Sequence, residues 1–145
     1  MIHLESITPD NWRLGLKVRK DQTEFVSDSA GILARAYAYR DSRSQAFIIY
    51  SDEIPVGMAM YHDWVEESSY DFSQFFIDQR YQGKGFGYEA AKLVLERMKQ
   101  DGKYDKVCLC YIAGDDAARK LYEKLGFHHT GEAYEDEIIM EISLR

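Results

Sequence analysis

Apolar positions recur along the chain with two spacings, one typical of strands and one typical of helices. Strands are predicted near Ile2–Ile7, Ala46–Tyr50, Val56–Trp64, Ser69–Ile77, Lys106–Ile112, Phe127–Glu132 and Glu137–Ser143. Helices are predicted over Pro9–Lys20, over Ser29–Tyr39, from the glycines at 83–87 to Asp101-Gly102, and from an Asp115 cap to Gly126. The early turns are too short for a crossover, so we expect an α/β domain with a mixed, mostly antiparallel sheet of about six or seven strands and about four flanking helices.

The composition is that of one folded domain. At 145 residues, with 46% hydrophobic and 30% charged residues, the chain can bury a single core, and we interpret residues 1–145 as one domain. The N-terminal segment lacks the basic and apolar regions of a secretory signal, and no apolar run approaches the roughly 20 residues of a membrane span. These features predict a cytoplasmic protein without a membrane partner.

Charged residues are distributed unevenly. Residues 44–79 contain seven acids and no lysine or arginine, residues 80–124 contain ten bases against seven acids, and residues 125–145 contain five acids and one base. The middle stretch suits an anionic ligand and its flanks suit a cationic one, although most such charges merely solvate exposed faces. No basic patch interleaved with aromatic residues is present, so nucleic-acid binding is not expected.

Two cysteines, Cys108 and Cys110, lie two positions apart in the predicted strand KVCLCYI. They share one face, about 6.6 Å apart along the strand, which is too strained for a mutual disulfide. A metal site built with His128 and His129 would need a second close-spaced pair of thiols, which is missing. We therefore expect two buried, reduced cysteines and no metal.

Three glycines at alternate positions, Gly83, Gly85 and Gly87, follow the apolar run FFI and precede a helical segment. A strand, a glycine-rich turn and a helix form a phosphate-binding arrangement, because the first helical N–H groups are unpaired and glycine lets a ligand approach the backbone. The spacing matches neither the Walker loop nor the GxGxxG dinucleotide fingerprint. A structural glycine turn is the alternative.

The segment Gln82–Gly87 resembles the Q/R-x-x-G-x-G/A acetyl-CoA loop of the GNAT N-acetyltransferase superfamily. The preceding FFID and the later AARKLYEKLGF (Ala117–Phe127) also resemble that family, in the expected order and at the expected distance. The resemblance implies a GNAT-type acyl-CoA N-acyltransferase fold over the whole chain. Within the superfamily, DFSQFFIDQRYQGKGFG and QTEFV (Gln22–Val26) look like the bacterial spermine/spermidine acetyltransferases.

The resemblance implies acetyl-CoA as the co-substrate. It assigns the pantetheine to the strand edge at Phe75, Phe76 and Ile77, where an N–H near Phe76 would polarise the thioester carbonyl. Asp115 stands where family members often carry an asparagine, and an aspartate caps a helix equally well but cannot donate a hydrogen bond to the cofactor. The pyrophosphate is assigned to the backbone amides of Gln82, Gly83, Lys84, Gly85, Phe86, Gly87 and Tyr88, with the Lys84 ammonium as an added cation.

Two residues are candidates for acid–base catalysis. The resemblance makes Tyr122 the general acid for the departing CoA thiolate, whereas its helical spacing also fits a core tyrosine. Some polyamine acetyltransferases carry a glutamate base on the fourth strand, and the matching residue here is Ser73. Asp71 is the nearest carboxylate, on the same face by alternation. A water relay through Ser73 or a backbone carbonyl is the other route, and an exposed strand acid is the other reading of Asp71.

The acidic stretches then provide contacts for a cationic acceptor. We predict an N-acetyltransferase that transfers acetyl to a primary amine of a small cation, spermidine or spermine first, by direct attack in a ternary complex. The alternatives are a GNAT enzyme acting on a protein N-terminus, a lysine or an amino-sugar antibiotic, and an acyl-CoA sensor without chemistry. The resemblance also makes a homodimer reasonable. The residues expected to bind the acceptor are Asp63, Glu66, Glu67, Ser73, Glu132 and Glu135.

Overall fold

The computed structural model describes residues 1–17 and 28–145, which form one seven-stranded sheet with helices on both faces. The strands are β1 (Ile2–Ser6), β2 (Gln45–Ser51), β3 (Ile54–Trp64), β4 (Ser69–Ile77), β5 (Lys106–Ile112), β6 (His128–Tyr134) and β7 (Glu137–Ser143). The helices are α1 (Ser29–Ala38), α2 (Phe86–Asp101) and α3 (Asp116–Leu125). All seven predicted strands and three of the predicted helices are confirmed to within two residues. No helix in this part of the chain is long and apolar enough to cross a membrane.

The sheet has the order β1-β2-β3-β4-β5-β7-β6, and every neighbouring pair is antiparallel except β4 and β5. The parallel pair is short: only Tyr70 with Val107 and Asp71 with Cys108 are in register. Beyond these two rungs the strands diverge, so the second half of β4 has a backbone edge that no strand of the described residues covers. This divergence creates the opening in which the candidate site lies.

Alternation along the strands divides the core between the two faces of the sheet. On β2, Phe47 and Ile49 pack with the α2 side, where the helix buries Ala90, Ala91, Val94 and Met98. Ile48 points to the other face and packs with Ile32 of α1. The two faces thus belong to different helices, which we call the α2 face and the α1 face.

The first predicted helix is wrong over its described part. Residues 9–13 form a turn and 14–17 have no regular structure, where a helix from Pro9 to about Lys20 was expected. The Asn11 side chain accepts from the Thr8 N–H at 2.7 Å and donates to the Ser6 carbonyl at 3.0 Å, so a polar side chain replaces helical hydrogen bonds. Gly15 follows at φ +70°, which a right-handed helix cannot contain. The rest of that segment and Gln22–Val26 lie outside the described residues.

Candidate active site

A cleft of about 440 Å³ occupies the opening between β4 and β5. The second half of β4, residues 72–77, forms one wall, and Cys110, Tyr111 and Ile112 of β5 form the other. The loop at 81–87 and the first turns of α2 and α3 close its upper end. A ligand in this cleft would therefore lie against the uncovered backbone edge of β4.

Glycine is present at positions 83, 85 and 87 for two different structural reasons. Gly83 and Gly85 have φ values of +79° and +82°, which favour glycine, and a Cβ at either position would meet nothing within 4 Å. The backbone is thus open to a ligand at both positions. Gly87 instead lies in the first turn of α2 with Ile77, Leu121 and Phe75 packed beside it, where a Cβ would find neighbours at 3.6 to 3.8 Å.

The N-terminus of α2 faces the cleft without a side-chain cap. Its N-cap residue is Gly85, and within the described residues no side-chain cap hydrogen bond forms at this helix end. The N-terminus of α3 differs, because Asp115 accepts from the Ala118 N–H at 3.2 Å and so is the predicted cap. The 16-residue α2 therefore presents free donors and the positive end of its dipole to an anion in the cleft.

Most residues predicted to contact CoA line the cleft. Gln82 donates from Nε2 to the Ile77 carbonyl at 2.9 Å and so connects the loop to the end of β4. Lys84 is exposed at the loop tip, and Tyr88 has its ring beside the ammonium groups of Lys92 and Lys124, at 5.4 and 4.3 Å from the ring centroid. The lining residues among those predicted are Phe75, Phe76, Ile77, Gln82, Gly83, Gly85, Phe86, Gly87 and Asp115.

Tyr122 is both a core residue and a residue of the cleft. The residue is 9% exposed, its ring meets that of Phe127 edge-on at 5.8 Å between centroids, and it also lines the cleft. Burial raises the pKa of Tyr122 above its usual value, and the negative charges of Asp115 and of ionised Cys110 act in the same direction. The hydroxyl therefore stays protonated at neutral pH, as a proton donor must.

Asp71 lies on the α1 face, next to β5 and opposite His62 of β3. Its carboxyl Oδ2 is 3.5 Å from His62 Nε2, and its side chain is 28% exposed. Burial raises the pKa of Asp71, while the nearby His62 and Arg35 oppose this effect and Glu137 adds to it. Asp71 is therefore a carboxyl that holds a proton more readily than a surface acid does.

The glycine loop, the cleft strands and α3 all lie within one region that matches a protein-family model. The acetyltransferase (GNAT) family model matches residues 8–127, which is most of the chain and contains the glycine loop, the cleft strands and α3. The chain belongs to the acetyltransferase (GNAT) family. The predicted family and fold are therefore confirmed.

Three proteins are similar to this chain over nearly its whole length. The acetyltransferase is 27% identical over 139 residues to the spermine/spermidine N(1)-acetyltransferase of Bacillus subtilis, with 90% of each chain covered. It is similar in structure to the spermidine N-acetyltransferase of Vibrio cholerae solved with CoA and spermine, with a TM-score of 0.78 and 18% identity over 99% of this chain and 95% of that one. An aminoglycoside acetyltransferase in complex with coenzyme A gives a TM-score of 0.81 with 16% identity over 99% and 95%. The structural likeness establishes the fold, whereas the acceptor must be inferred from the residues of the site.

A β-bulge interrupts the alternation used to relate Asp71 to Ser73. Met60 pairs with Gln74 and His62 with Asp71, so two residues of β4 stand opposite one of β3. Phe72 and Phe75 consequently meet on one face, edge-on at 5.5 Å, although they are three positions apart. Ser73 at the bulge lines the cleft, and its buried Oγ has no hydrogen-bond partner in the described part of the chain. The shared face inferred for Asp71 and Ser73 is therefore wrong.

Asp63 lies on the opposite face of the sheet from Asp71. Its carboxylate is 6% exposed and is bound by the Arg43 guanidinium at 2.8 and 2.9 Å and by the Lys103 ammonium at 2.9 Å. Glu66 and Glu67 form a turn after β3, at the end of the sheet away from the glycine loop. None of these three predicted acceptor residues lines the cleft in this structure.

The first residue of β7 is an acid that lines the cleft and was not among those predicted. Glu132 and Glu135 are exposed and do not line the cleft, whereas Glu137 does, paired with Ile112 at the end of β5. Sequence reasoning missed Glu137 and His62. The first was concealed in an acidic stretch, while the second stands opposite Asp71 only because of a register that the sequence does not show.

Cys110 interacts electrostatically with both Tyr122 and Asp71. The expectation of two buried cysteines is confirmed for Cys108 and wrong for Cys110, which is exposed through the cleft that it lines. Desolvation by the surrounding protein and the charges of Glu137 and Asp71 raise the pKa of the Cys110 thiol to about 11. Within the described residues, no group of three His, Cys, Asp or Glu side chains could hold a metal ion.

Proposed function

We propose that this acetyltransferase transfers acetyl from acetyl-CoA to a primary amine of a polyamine such as spermidine or spermine. The observation that carries the proposal is the placement of two acids on the face away from α2: Glu137 lines the cleft, and Asp71, which does not line it, occupies the last paired rung before β4 and β5 diverge. A cation can approach these carboxylates from the α1 face, while the acyl donor reaches the same opening from the N-terminus of α2. The Bacillus relative, matched over 90% of both chains, supports this acceptor class.

The residues of the cleft fit CoA. The uncapped N-terminus of α2 and the open sides of Gly83 and Gly85 suit a pyrophosphate, because free N–H groups and the helix dipole favour an anion. The uncovered edge of β4 at Phe75, Phe76 and Ile77 offers backbone hydrogen bonds to an extended amide chain such as pantetheine. Acetyl-CoA supplies the acetyl group as a thioester.

Two side chains would move the protons of the reaction. Asp71 takes the proton from the bound ammonium, which must become a free amine before it can act as a nucleophile. Tyr122 gives its proton to the thiolate that leaves, because burial keeps its hydroxyl protonated. An N–H near Phe76 would stabilise the developing negative charge on the acetyl oxygen.

Direct transfer to the amine fits the state of Cys110. The thiolate is the nucleophilic form of cysteine, and a pKa of about 11 keeps Cys110 almost entirely protonated at neutral pH. The cleft therefore contains a thiol that is a poor acceptor for acetyl. A ternary complex without a covalent enzyme intermediate remains our prediction, as do the homodimer and the cytoplasmic location.

A thiol-release assay over a panel of acceptors tests the proposal. Spermidine, spermine, an aminoglycoside and a peptide with a free N-terminus would each be titrated at saturating acetyl-CoA. We expect the highest kcat/KM with a polyamine. Turnover of the peptide or the aminoglycoside with none of a polyamine would remove the polyamine proposal, and acetyl-CoA binding without turnover of any amine would favour a sensor.

A further inference from the structure

His62 is a buried histidine with one ring nitrogen left without a hydrogen-bond partner. The residue is 4% exposed, and its ring stacks on Tyr39 with 4.3 Å between centroids. Nδ1 lies 2.9 Å from the Asp63 carbonyl oxygen, and Nε2 has no hydrogen-bond partner among the described residues. A buried polar atom without a partner is costly, so its position calls for an explanation.

The contact with the carbonyl determines which nitrogen carries the proton. A carbonyl oxygen only accepts hydrogen bonds, so Nδ1 must be protonated whether the ring is neutral or charged. The neutral ring then has its lone pair on Nε2, which faces Asp71 Oδ2 at 3.5 Å. Two acceptors facing each other repel, whereas a proton placed between them removes the repulsion.

We propose that His62 and Asp71 hold one proton between them and together form the general base of the acetyltransferase. Asp71 is the catalytic member, because its side chain is 28% exposed and it occupies the last paired rung before β4 and β5 diverge. His62 is a positioning residue that acts through Asp71. This inference rests on the proposed function, since it assigns the proton acceptor for the amine.

The proton balance is simple. An N–H bond of the substrate ammonium breaks, its proton moves to Asp71 Oδ2, and His62 Nε2 shares it. The nitrogen keeps the electron pair with which it forms the new C–N bond. Tyr122 supplies a proton to the CoA thiolate, and the second proton, which the nitrogen loses when the amide forms, restores the Tyr122 hydroxyl. One proton per turnover therefore reaches solvent, and the accessible carboxyl of Asp71 releases it.

The charged groups around the pair set its proton affinity. Arg35 of α1 lowers the pKa of Asp71, and Glu137 of β7 raises it. The negative charges of Asp71 and Glu137 in turn raise the pKa of Cys110 on β5. His62 itself packs against Tyr39 and the backbone of Asp63. A pair that has lost its proton is thus a carboxylate facing a lone pair, which is a stronger base than an isolated aspartate.

The pH dependence of kcat at saturating amine tests this pair. Because the pair must be deprotonated to accept the ammonium proton, kcat should rise with pH as the pair loses its proton. In His62→Gln, the amide N–H donates permanently to Asp71 and weakens it as a base. We expect kcat to fall on the order of 10-fold and the rising limb to move about one pH unit lower. A folded His62→Gln protein whose rising limb does not move would overturn the proposal.

The chain contains a matched control. His3 also faces a carboxylate, with Nε2 2.8 Å from Glu5 Oε2, and also stacks on a tyrosine, Tyr50, at 5.3 Å. This pair is exposed on β1, away from the cleft. His3→Gln should leave both kcat and the rising limb unchanged. A shift as large as that of His62→Gln would mean that the effect is not specific to the cleft, and it would overturn the proposal.

Nitrogen NMR of the wild-type protein tests the pair without any substitution or substrate. With labelled histidine, at a pH where the pair has lost its shared proton, the neutral His62 ring should show a protonated Nδ1 and a bare Nε2. In Asp71→Asn the amide should donate to Nε2 and keep the ring in that neutral form. A neutral wild-type ring protonated on Nε2 would overturn the proposal. Since this measurement needs no acceptor, a failure of the polyamine assignment leaves it intact.

Discussion

Asp63 and Asp71 occupy neighbouring rungs of the β3–β4 ladder on opposite faces of the sheet. On the α2 face, Arg43 binds Asp63 through two nitrogens, Lys103 binds it through a third, and the same guanidinium continues to Asp101 at 3.0 and 3.1 Å. On the α1 face, Asp71 forms an ion pair among the described residues with His62 alone, at 3.5 Å. The Asp63 carboxylate is thus neutralised by two cations, whereas the Asp71 carboxylate can still accept a proton.

The two environments move the carboxyl pKa values in opposite directions. Burial raises the pKa of Asp63, but the hydrogen bonds of Arg43 and Lys103 outweigh it and lower the value overall. For Asp71 burial dominates and the pKa is raised. A carboxyl with a lowered pKa stabilises the folded protein above its unfolded-state pKa, and one with a raised pKa costs stability when ionised. The pKa shifts therefore assign a structural role to Asp63 and fit a role in proton transfer for Asp71.

The largest effect on the donor side is expected from Tyr122→Phe. Removing the hydroxyl leaves the ring packing on Phe127 intact and removes the proton that the leaving thiolate needs. We expect kcat to fall about 100-fold with little change in KM for acetyl-CoA.

Tyr61→Phe is the control for this hydroxyl, because Tyr61 is a buried tyrosine of β3 outside the cleft. Steady-state kinetics should show a lowered kcat for Tyr122→Phe and an unchanged kcat for Tyr61→Phe. Equal kcat values for wild type and Tyr122→Phe would contradict the assigned acid.

Asp63→Asn should cost stability and spare the chemistry. The change leaves the cations of Arg43 and Lys103 without their shared carboxylate, and we expect a loss of about 2–3 kcal/mol in the free energy of unfolding. Urea unfolding followed by circular dichroism measures it. Asp52→Asn, at the exposed ion pair with the N-terminal amine, is the control and should change the free energy much less.

The free energy of unfolding should also depend on pH in a direction that the carboxyl pKa values determine. The pKa of Asp101 is lowered to about 2 by Arg43 and Tyr70, and Asp63 is shifted in the same direction. Their stabilisation is present above the ordinary carboxyl pKa of about 4 and is lost as pH falls toward 2. Stability of Asp63→Asn should therefore depend less on pH in this window. An unchanged acid limb would show that the α2-face network does not operate as described.

Gly85→Ala should affect binding and stability, whereas its counterpart at the other end of α2 should affect stability alone. Gly85 and Gly102 have φ values of +82° and +73°, so alanine costs about 1 kcal/mol of backbone strain at either position. Only Gly85 adjoins the cleft, and KM for acetyl-CoA should rise about 10-fold there. An equal KM for Gly85→Ala and Gly102→Ala would contradict the assignment of this helix end to the pyrophosphate.

Cys110→Ala should have the smallest effect. The thiol lines the cleft, but its raised pKa keeps it from acting as a nucleophile. We expect kcat within about three-fold of wild type. A loss comparable to that of Tyr122→Phe, or an acetylated Cys110 peptide after rapid quenching, would indicate a covalent route.

The strands and most helices could be predicted because their periodicity and caps are local. The glycine loop likewise gave the donor side, and Asp115 was predicted as a cap from its position alone. The acceptor side depended on features that alternation cannot show: the bulge at Phe72–Ser73, the register that pairs Asp71 with His62, and the cations that occupy Asp63 from distant segments. An acidic run shows the charge of a region, whereas tertiary partners determine which acids remain available.

The most direct measurement is kcat at saturating amine and acetyl-CoA for Asp71→Asn and Asp63→Asn, at a temperature where both are folded. The account predicts a fall of about 100-fold or more for Asp71→Asn, with stability at neutral pH unchanged or raised, and a kcat within about three-fold of wild type for Asp63→Asn. Wild-type kcat in Asp71→Asn, or an equal loss in the folded Asp63→Asn protein, would contradict the division of labour between the two faces.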